Sequence, residues 1–348
     1  MAQKKKASRA KKKAAVRAKS PRRSKRPLTG PALQLAAKKA DLKFRRTAQA
    51  YVAKAAELES ARLARAEADR AVGLFYAAQA AEAKQPFYHF LAQGDSWFDY
   101  ACGFSLVHYL KSLFGPEKAY FQNIAVSGRL LRDMLSDDFK EKLKAGPGNG
   151  AAWNAILFAG GGNDICGDSR FQDWLKPYDG STDPEGYITT AFDQEVLFLQ
   201  GIYEEAIALV AKFAKGVRIF AHDYDFAIPD NRCVTGISPH LESDFHFCFA
   251  GPWMYPAFQI RGFHKTGDKV PQLTKDIVKA ILKRLADMLA GLERKYPSQF
   301  VLVSTQSTLQ PIQDPKLWAN ELHPYNDSFK LLAQPFYDKL RGRISGGA

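Results

Sequence analysis

The 348-residue sequence has few cysteines, no long apolar run and, in its first 30 residues, no acidic side chain. The four cysteines, Cys102, Cys166, Cys233 and Cys248, lie far apart and form no C-x-x-C pair. Such sparse thiols are typical of a reducing compartment rather than of a small disulfide-rich secreted domain. No stretch approaches the roughly 20 apolar residues of a membrane-spanning helix, and no apolar segment follows the N-terminal charges as in a secretory signal. We therefore expect a cytoplasmic protein without a membrane span.

The positive charge of the chain is concentrated at its N-terminus. The formal net charge is +14, but residues 1–30 contain 13 Lys or Arg, whereas residues 86–348 contain 27 basic and 30 acidic side chains, a net charge of −3. A Lys/Arg/Ala/Ser segment with almost no large apolar side chain buries too little surface to offset the entropy cost of ordering it. The sequence predicts a disordered basic arm at 1–30, suited to nonspecific contact with polyanions at low salt. Residues 86–348, with their small negative net charge, have no electrostatic preference for nucleic acid.

The remainder of the chain divides into a helical segment and an alternating α/β region. Residues 31–85 are Ala-rich, with no proline after Pro31 and Gly73 as the one weak point, which favours one or two helices. From residue 86 onward, short apolar segments alternate with helical windows, which predicts βαβ units and a parallel sheet. The expected strands are Tyr88–Ala92, Phe121–Ala125, Ala155–Ala159, Val217–Ala221 and Phe300–Val303. The expected helices are Leu106–Leu113, Leu130–Lys144, Asp193–Lys215, Val270–Lys295 and Ser328–Leu340.

An aromatic-rich connection at about 222–267 is too long for a plain crossover between strands. Long ordered connections in a compact domain are uncommon and often functional. The aromatic side chains would either line or cap a pocket, or pack together as the core of an added subdomain. Both alternatives stay open at the level of the sequence.

Polar and glycine-bearing segments follow the first three expected strands. They are Gly94-Asp95-Ser96, Ser127-Gly128-Arg129 and Gly160-Gly161-Gly162-Asn163-Asp164. With a sheet order of 2-1-3-4-5, the carboxyl ends of these strands would bring the three segments to one edge, with Ser96 in the middle. A serine nucleophile needs a base and preorganised donors for its oxyanion. His323, before the last helix, is a candidate base, and the N–H groups of Ser96 and Gly128 with the Asn163 amide are candidate donors.

The sequence lacks the motifs that are typical of several other kinds of functional site. Gly160–Gly162 is not a dinucleotide fingerprint, because Ile165 stands where the third glycine is required. Gly94 and Ser96 do not form a G-x-S-x-G elbow, because Phe98 stands at the second glycine position. No phosphate-binding loop is present, and no metal spacing is formed by His222, His240, His246 and His264. We expect neither a cofactor nor a metal ion.

Taken together, the blocks resemble the SGNH, or GDSL-type, hydrolase family. Gly94-Asp95-Ser96, Gly128, Gly161-Gly162-Asn163-Asp164 and His323-Pro324 occur in the family's order over about residues 86–348. The resemblance implies a flavodoxin-like three-layer α/β/α fold and hydrolysis of a carboxylic ester through an acyl-serine intermediate. It implies Ser96 as the nucleophile, His323 as the base, and Gly128 with Asn163 in the oxyanion hole. The substrate would then be a small-molecule, acylated-glycan or lipid ester.

One position departs from the family pattern. The family usually has Asp three residues before the catalytic His, and this chain has Asn320 there. An amide orients an imidazole but does not stabilise the imidazolium as a carboxylate does. Three residues are therefore candidates for orienting His323, namely Asn320, Glu321 and Asp314. The alternative function is a catalytically weak or inactive SGNH-fold binding protein, tethered to polyanions by its basic arm.

Overall fold

The computed structural model describes residue 60 and residues 63–100, 104–235, 248–265 and 267–344. The predicted basic arm at 1–30 lies outside these residues, as does the first part of the predicted Ala-rich segment. Residues 63–82 form helix α1. Gly73 lets this helix approach the sheet closely, since a Cβ atom there would lie 2.4 Å from Cδ2 of Tyr120. An ion pair between Asp69 and Lys111 adds a second contact between α1 and the region that follows.

Five parallel strands form the main sheet. Along the chain the strands are β1 (Tyr88–Gly94), β2 (Ala119–Asn123), β3 (Ala155–Ala159), β4 (Arg218–His222), β5 (Val234–Thr235), β6 (Cys248–Ala250) and β7 (Phe300–Val303). The main sheet has the order β2-β1-β3-β4-β7, and all its pairings are parallel. Every residue of β3 is buried, as expected of a central strand covered on both faces. The predicted α/β class and strand order 2-1-3-4-5 are confirmed.

Strand β2 begins two residues earlier than the sequence predicts. The expected strand was Phe121–Ala125, whereas the observed strand is Ala119–Asn123. A turn precedes it, in which Gly115 has a φ of 80° and accepts a hydrogen bond from the Lys118 N–H. Because this turn delivers the chain directly beside Tyr88, pairing with β1 starts at Ala119. The segment that follows Asn123 is thereby released into the loop that carries Gly128.

Helices cover both faces of the sheet. They are α2 (Leu106–Phe114), α3 (Asp137–Ala145), α4 (Gly162–Cys166), α5 (Thr190–Phe213), α6 (Tyr255–Ile260), α7 (Gln272–Lys295) and α8 (Asn326–Ile344). Helices α2 and α8 contact each other, while α5 contacts both α3 and α7. These two groups are the outer layers of the three-layer α/β/α arrangement that the family resemblance implies.

The predicted helix Leu130–Lys144 is two elements rather than one. A short 3₁₀ helix spans Leu131–Asp133, and α3 begins only at Asp137. Ser136 caps α3, because its side chain accepts a hydrogen bond from the Phe139 N–H. This N-cap requires extended backbone and so separates the two helical segments.

The aromatic-rich connection contributes both core and pocket wall. Strands β5 and β6 pair antiparallel within it, and α6 follows them. Phe258 packs edge-on against Phe171 with the ring centroids 5.5 Å apart, and Phe263 packs against Tyr187 at 4.8 Å. Met254 lines a cavity instead. One part of this connection thus packs as an added core, and another part lines the cavity.

Two structural findings bear on the predicted location, namely the character of the helices and the state of the cysteines. Among the described residues, no helix combines the length and apolar character needed to cross a bilayer. Cys166 is a buried free thiol, whereas Cys233 is disulfide-bonded. Disulfides persist in oxidising compartments, so the cysteines do not support the predicted cytoplasmic location.

Candidate active site

Ser96 lies in the turn directly after β1, and its neighbour Asp95 holds that turn. Asp95 Oδ1 accepts the N–H of Trp97 at 2.9 Å, and Oδ2 accepts the hydroxyl hydrogen of Tyr224 at 2.6 Å. The Tyr224 oxygen in turn accepts the Gly162 N–H at 3.4 Å. Burial raises the pKa of Asp95 to about 6, with these hydrogen bonds working in the opposite direction. The chain of contacts joins the loops that follow β1, β3 and β4.

Ser96 and His323 are in direct contact although 227 positions separate them in the chain. The His323 Nε2 atom lies 2.6 Å from Ser96 Oγ, and both residues are buried. The other ring nitrogen, Nδ1, lies 2.9 Å from Oδ1 of Asn320. The structure thus brings together the three residues predicted as nucleophile, base and orienting side chain.

The hydrogen bonds around Asn320 define the protonation of the His323 ring. Asn320 Oδ1 accepts the backbone N–H groups of Leu322 and His323, each at 3.0 Å, so this atom is the carbonyl oxygen of the amide. Its contact with Nδ1 therefore requires a hydrogen on Nδ1, which leaves a lone pair on Nε2. That lone pair faces Ser96 Oγ. This is the tautomer that a general base needs.

Tyr100 contacts both Asn320 and His323. Its hydroxyl oxygen accepts a hydrogen bond from Asn320 Nδ2 at 3.1 Å, which fixes the direction of the amide. Its ring stacks on the His323 imidazole, with a centroid distance of 4.4 Å and an interplanar angle of 16°. Burial lowers the pKa of His323 to about 3. With an amide as its partner, the imidazole stays neutral over the physiological range.

The two other candidates for orienting His323 have different partners. Glu321 is fully buried, and its carboxylate accepts backbone N–H groups at 2.6–3.1 Å from Asn231, Trp253, Met254 and Tyr255. Burial raises its pKa to about 7 against the effect of these donors. Asp314 caps a short 3₁₀ helix by accepting the N–H of Lys316 at 2.9 Å. Asn320 is the residue whose side chain contacts Nδ1, and Glu321 ties the His323 loop to the aromatic-rich connection.

The two backbone N–H groups predicted as oxyanion donors, those of Ser96 and Gly128, have no hydrogen-bond partner among the described residues. Gly128 has a φ of 80°, a conformation that favours glycine, although a Cβ atom there would meet nothing within 4 Å. Glycine is therefore favoured here by the backbone conformation rather than by close packing against other protein atoms.

Asn163 connects the Gly128 loop to the loop after β3. Its Nδ2 atom donates to the carbonyl oxygen of Arg129 at 3.1 Å, which leaves its second amide hydrogen uncommitted. Asp164 Oδ2 accepts the Leu131 N–H at 2.7 Å and so adds a second link between the two loops. Asn163 and Ser96 line the same cavity, whereas Gly128 is exposed and lies outside its wall.

A cavity lies beside Ser96. Asn163, His323 and Ser96 stand at one part of its wall, and most of the remaining wall is apolar. Side chains from α4, α7 and the 3₁₀ helix Gly167–Trp174 form this apolar part. Within the residues that the structure describes, no group of three His, Cys, Asp or Glu side chains is arranged to hold a metal ion.

Sequence reasoning did not identify the supporting residues. Tyr100, Trp97 and the cavity-lining residues of α7 belong to no motif block, and apolar positions on a helix give the same pattern whether they face a core or a cavity. The segment after β4 was a partial exception. Pocket lining is one of the two alternatives that the sequence gives for the connection at 222–267, and Tyr224 and Asp225 within it do line the cavity.

Comparisons with known proteins give structural similarity only. No family model and no curated protein matches this chain. An extracellular lipase from Streptomyces rimosus is similar at 12% identity and a TM-score of 0.44, with 73% of this chain and 99% of that chain covered. Phospholipase A1 from Streptomyces albidoflavus is similar at 11% identity and a TM-score of 0.45, with 74% and 99% covered. A member of the lipolytic G-D-S-L family from Veillonella parvula is similar at 13% identity and a TM-score of 0.40, with 72% and 97% covered.

Proposed function

We propose that this protein is a serine hydrolase that cleaves a carboxylic ester through an acyl-serine intermediate. The observation that carries the proposal is the Ser96–His323–Asn320 arrangement, with Nε2 at 2.6 Å from Oγ and Nδ1 at 2.9 Å from the amide oxygen. A nucleophile in contact with a base, and a base in contact with an orienting group, is the geometry that covalent catalysis requires.

In the first step Ser96 Oγ attacks the carbonyl carbon of the ester while His323 Nε2 takes the hydroxyl proton. The carbonyl oxygen becomes an oxyanion, which the N–H groups of Ser96 and Gly128 and the Asn163 amide would stabilise. The carbon–oxygen bond to the alcohol then breaks, and Nε2 returns the proton to the departing oxygen. Acyl-Ser96 and a free alcohol result.

In the second step a water molecule replaces the alcohol. Nε2 takes one of its protons as the water oxygen attacks the acyl carbon, and the resulting oxyanion occupies the same site. Collapse breaks the bond to Ser96 Oγ, which regains its proton from Nε2. Throughout both steps Nδ1 keeps its hydrogen and donates it to Asn320 Oδ1, so the ring keeps its orientation while it is transiently an imidazolium.

Hydrolysis of p-nitrophenyl butyrate by the full chain tests the proposal. We expect turnover that falls on the order of a thousandfold or more in Ser96→Ala, because the covalent route is lost. Ser136→Ala is the matched control, since Ser136 only caps α3. Absence of turnover by the wild type, or retention of it by Ser96→Ala, would contradict the proposal.

A further inference from the structure

The cavity beside Ser96 has an apolar wall that the catalytic steps do not use. Six of its side chains are large and apolar, and none is more than 8% exposed: Ile165, Phe171, Met254, Val278, Ile281 and Leu282. They come from α4, from the 3₁₀ helix Gly167–Trp174, from α7 and from the loop residue before α6. A ligand group placed here is removed from water, and an apolar group gains the most from that transfer.

The polar side chains in the rest of the wall are already engaged. Asp95 accepts hydrogen bonds from Trp97 and Tyr224, as described above. Asp225 accepts the N–H groups of Phe226, Ser307 and Leu309 at 2.7–2.9 Å. Much of the hydrogen-bonding capacity of these two carboxylates is thus taken by the protein, so the wall offers a sugar hydroxyl or a charged group few partners to replace its bonds to water.

The length of the wall exceeds what an acetyl group fills. Val278, Ile281 and Leu282 span four residue steps of α7, or about 6 Å at 1.5 Å per residue. The methyl of an acetyl group reaches only one carbon–carbon bond, about 1.5 Å, from the carbonyl carbon. An acetyl ester would leave most of this surface uncovered.

We propose that the cavity binds the acyl chain of the substrate and selects esters of apolar acids with four or more carbons. The inference rests on the proposed function and adds the substrate class. The acyl group, rather than the alcohol, occupies the enclosed space because it stays bonded to Ser96 while the alcohol departs. Gly128, a donor in the proposed oxyanion site, is exposed and lies outside the cavity wall, so the space around that donor is open to the departing alcohol.

A series of p-nitrophenyl esters tests the chain-length preference with the full-length protein. We expect kcat/KM to rise from acetate through butyrate to hexanoate by about fourfold per methylene, the equivalent of about 0.8 kcal/mol per buried CH₂. A second series with a constant acyl group and longer alcohols should show a much smaller dependence. A flat or falling acyl series, or a steeper dependence on the alcohol, would overturn the inference.

Two substitutions of opposite effect test whether the acyl chain of the substrate lies in the cavity. Val278→Phe fills the cavity and should lower the hexanoate-to-acetate ratio of kcat/KM at least tenfold, whereas Ile281→Ala enlarges it and should move the optimum to a longer acid. Lys283→Phe introduces the same aromatic side chain one residue beyond the wall, at a position where the lysine side chain is 65% exposed, and should leave the ratio unchanged. Because each ratio is measured on one preparation, it does not depend on the fraction of molecules that fold.

The outcomes separate this inference from the proposed function. If no ester is turned over in a Ser96-dependent manner, the proposed function fails. If Ser96-dependent turnover occurs but both variants keep the wild-type ratio, the hydrolase proposal stands and the acyl-site assignment is wrong.

Discussion

Asn320→Asp places a carboxylate beside His323 without changing the size of the side chain. Asn320 Oδ1 already accepts hydrogen bonds from the ring at 2.9 Å and from two backbone N–H groups at 3.0 Å each. The Tyr100 hydroxyl, which now accepts from Nδ2, would rotate and donate to the second carboxylate oxygen. All of these contacts are compatible with aspartate, so the substitution isolates the effect of charge.

The expected gain in rate is modest. A hydrogen bond to a charged acceptor contributes about 1.5–3 kcal/mol, against about 0.5–1.5 kcal/mol for a neutral one. The carboxylate should therefore stabilise the imidazolium of the transition state by about 1–1.5 kcal/mol, which raises kcat about five- to tenfold. The loss of about four orders of magnitude known for the reverse change in serine proteases reflects a wrong tautomer. It does not apply here, because the carbonyl oxygen of Asn320 already faces Nδ1.

The same substitution should change the pH dependence. Burial lowers the pKa of His323 to about 3, so the wild-type base is neutral well into the acidic range. We therefore expect kcat/KM of the wild type to show no acidic limb between about pH 5 and 7. A carboxylate within hydrogen-bond distance raises the pKa of its partner by about one to three pH units. As the pH is lowered, the activity of Asn320→Asp should thus begin to fall earlier than that of the wild type.

Stopped-flow or plate assays of p-nitrophenyl butyrate hydrolysis from pH 4 to 9, by approximately half-unit steps, measure both effects. Asn320→Ala is the control, because it removes the acceptor altogether and should lower kcat. A loss of more than about tenfold in Asn320→Asp at unchanged Tm, or an acidic limb at the wild-type position, would refute the reasoning about charge and tautomer.

Three further substitutions test individual contacts. Tyr100→Phe keeps the stacked ring but removes the acceptor for Asn320 Nδ2, and we expect kcat to fall about tenfold with little change in Tm, as steady-state kinetics and thermal unfolding would report. Gly128→Ala strains a φ of 80° and should lower kcat by about 10–1,000-fold by displacing an oxyanion donor, whereas Gly150→Ala, with a φ of 74° and equally open surroundings, should leave kcat unchanged. Glu321→Gln replaces an acceptor of four N–H groups by an amide that donates, which should lower the unfolding free energy by about 2–3 kcal/mol in urea titrations. Because burial raises the Glu321 pKa from 4.5 to about 7, its contribution to stability falls as the pH rises between those values, and this pH dependence should be absent from the Gln variant.

Local sequence patterns were sufficient for the sheet and for the loops at its edge. The strand segments are short and apolar, and each ends at a glycine or polar cluster. The βαβ pattern predicts a parallel sheet but does not fix its strand order, and the order 2-1-3-4-5 that we considered is the one observed. The predicted bounds are wrong where a single turn or helix cap sets the start of a strand or helix. The Gly115 turn starts β2 two residues early, and the Ser136 cap divides one predicted helix into two.

The orienting residue was beyond sequence reasoning for a physical reason. Asn320, Glu321 and Asp314 all lie within reach of His323 along the chain, and their chemistry alone does not rank them. The choice depends on backbone N–H groups contributed by distant segments, because Asn231 and the 253–255 stretch capture the Glu321 carboxylate. Tyr100 is likewise recognisable only when its ring is seen stacked on His323.

The central claim is that Ser96 is a nucleophile activated by His323. Treatment of the full-length protein with a fluorophosphonate, followed by mass spectrometry of the peptides, tests it most directly. We predict one adduct, on the peptide that contains Ser96, which is absent in Ser96→Ala and strongly slowed in His323→Ala. An unlabelled wild-type protein, or an adduct that persists in Ser96→Ala, would contradict the account.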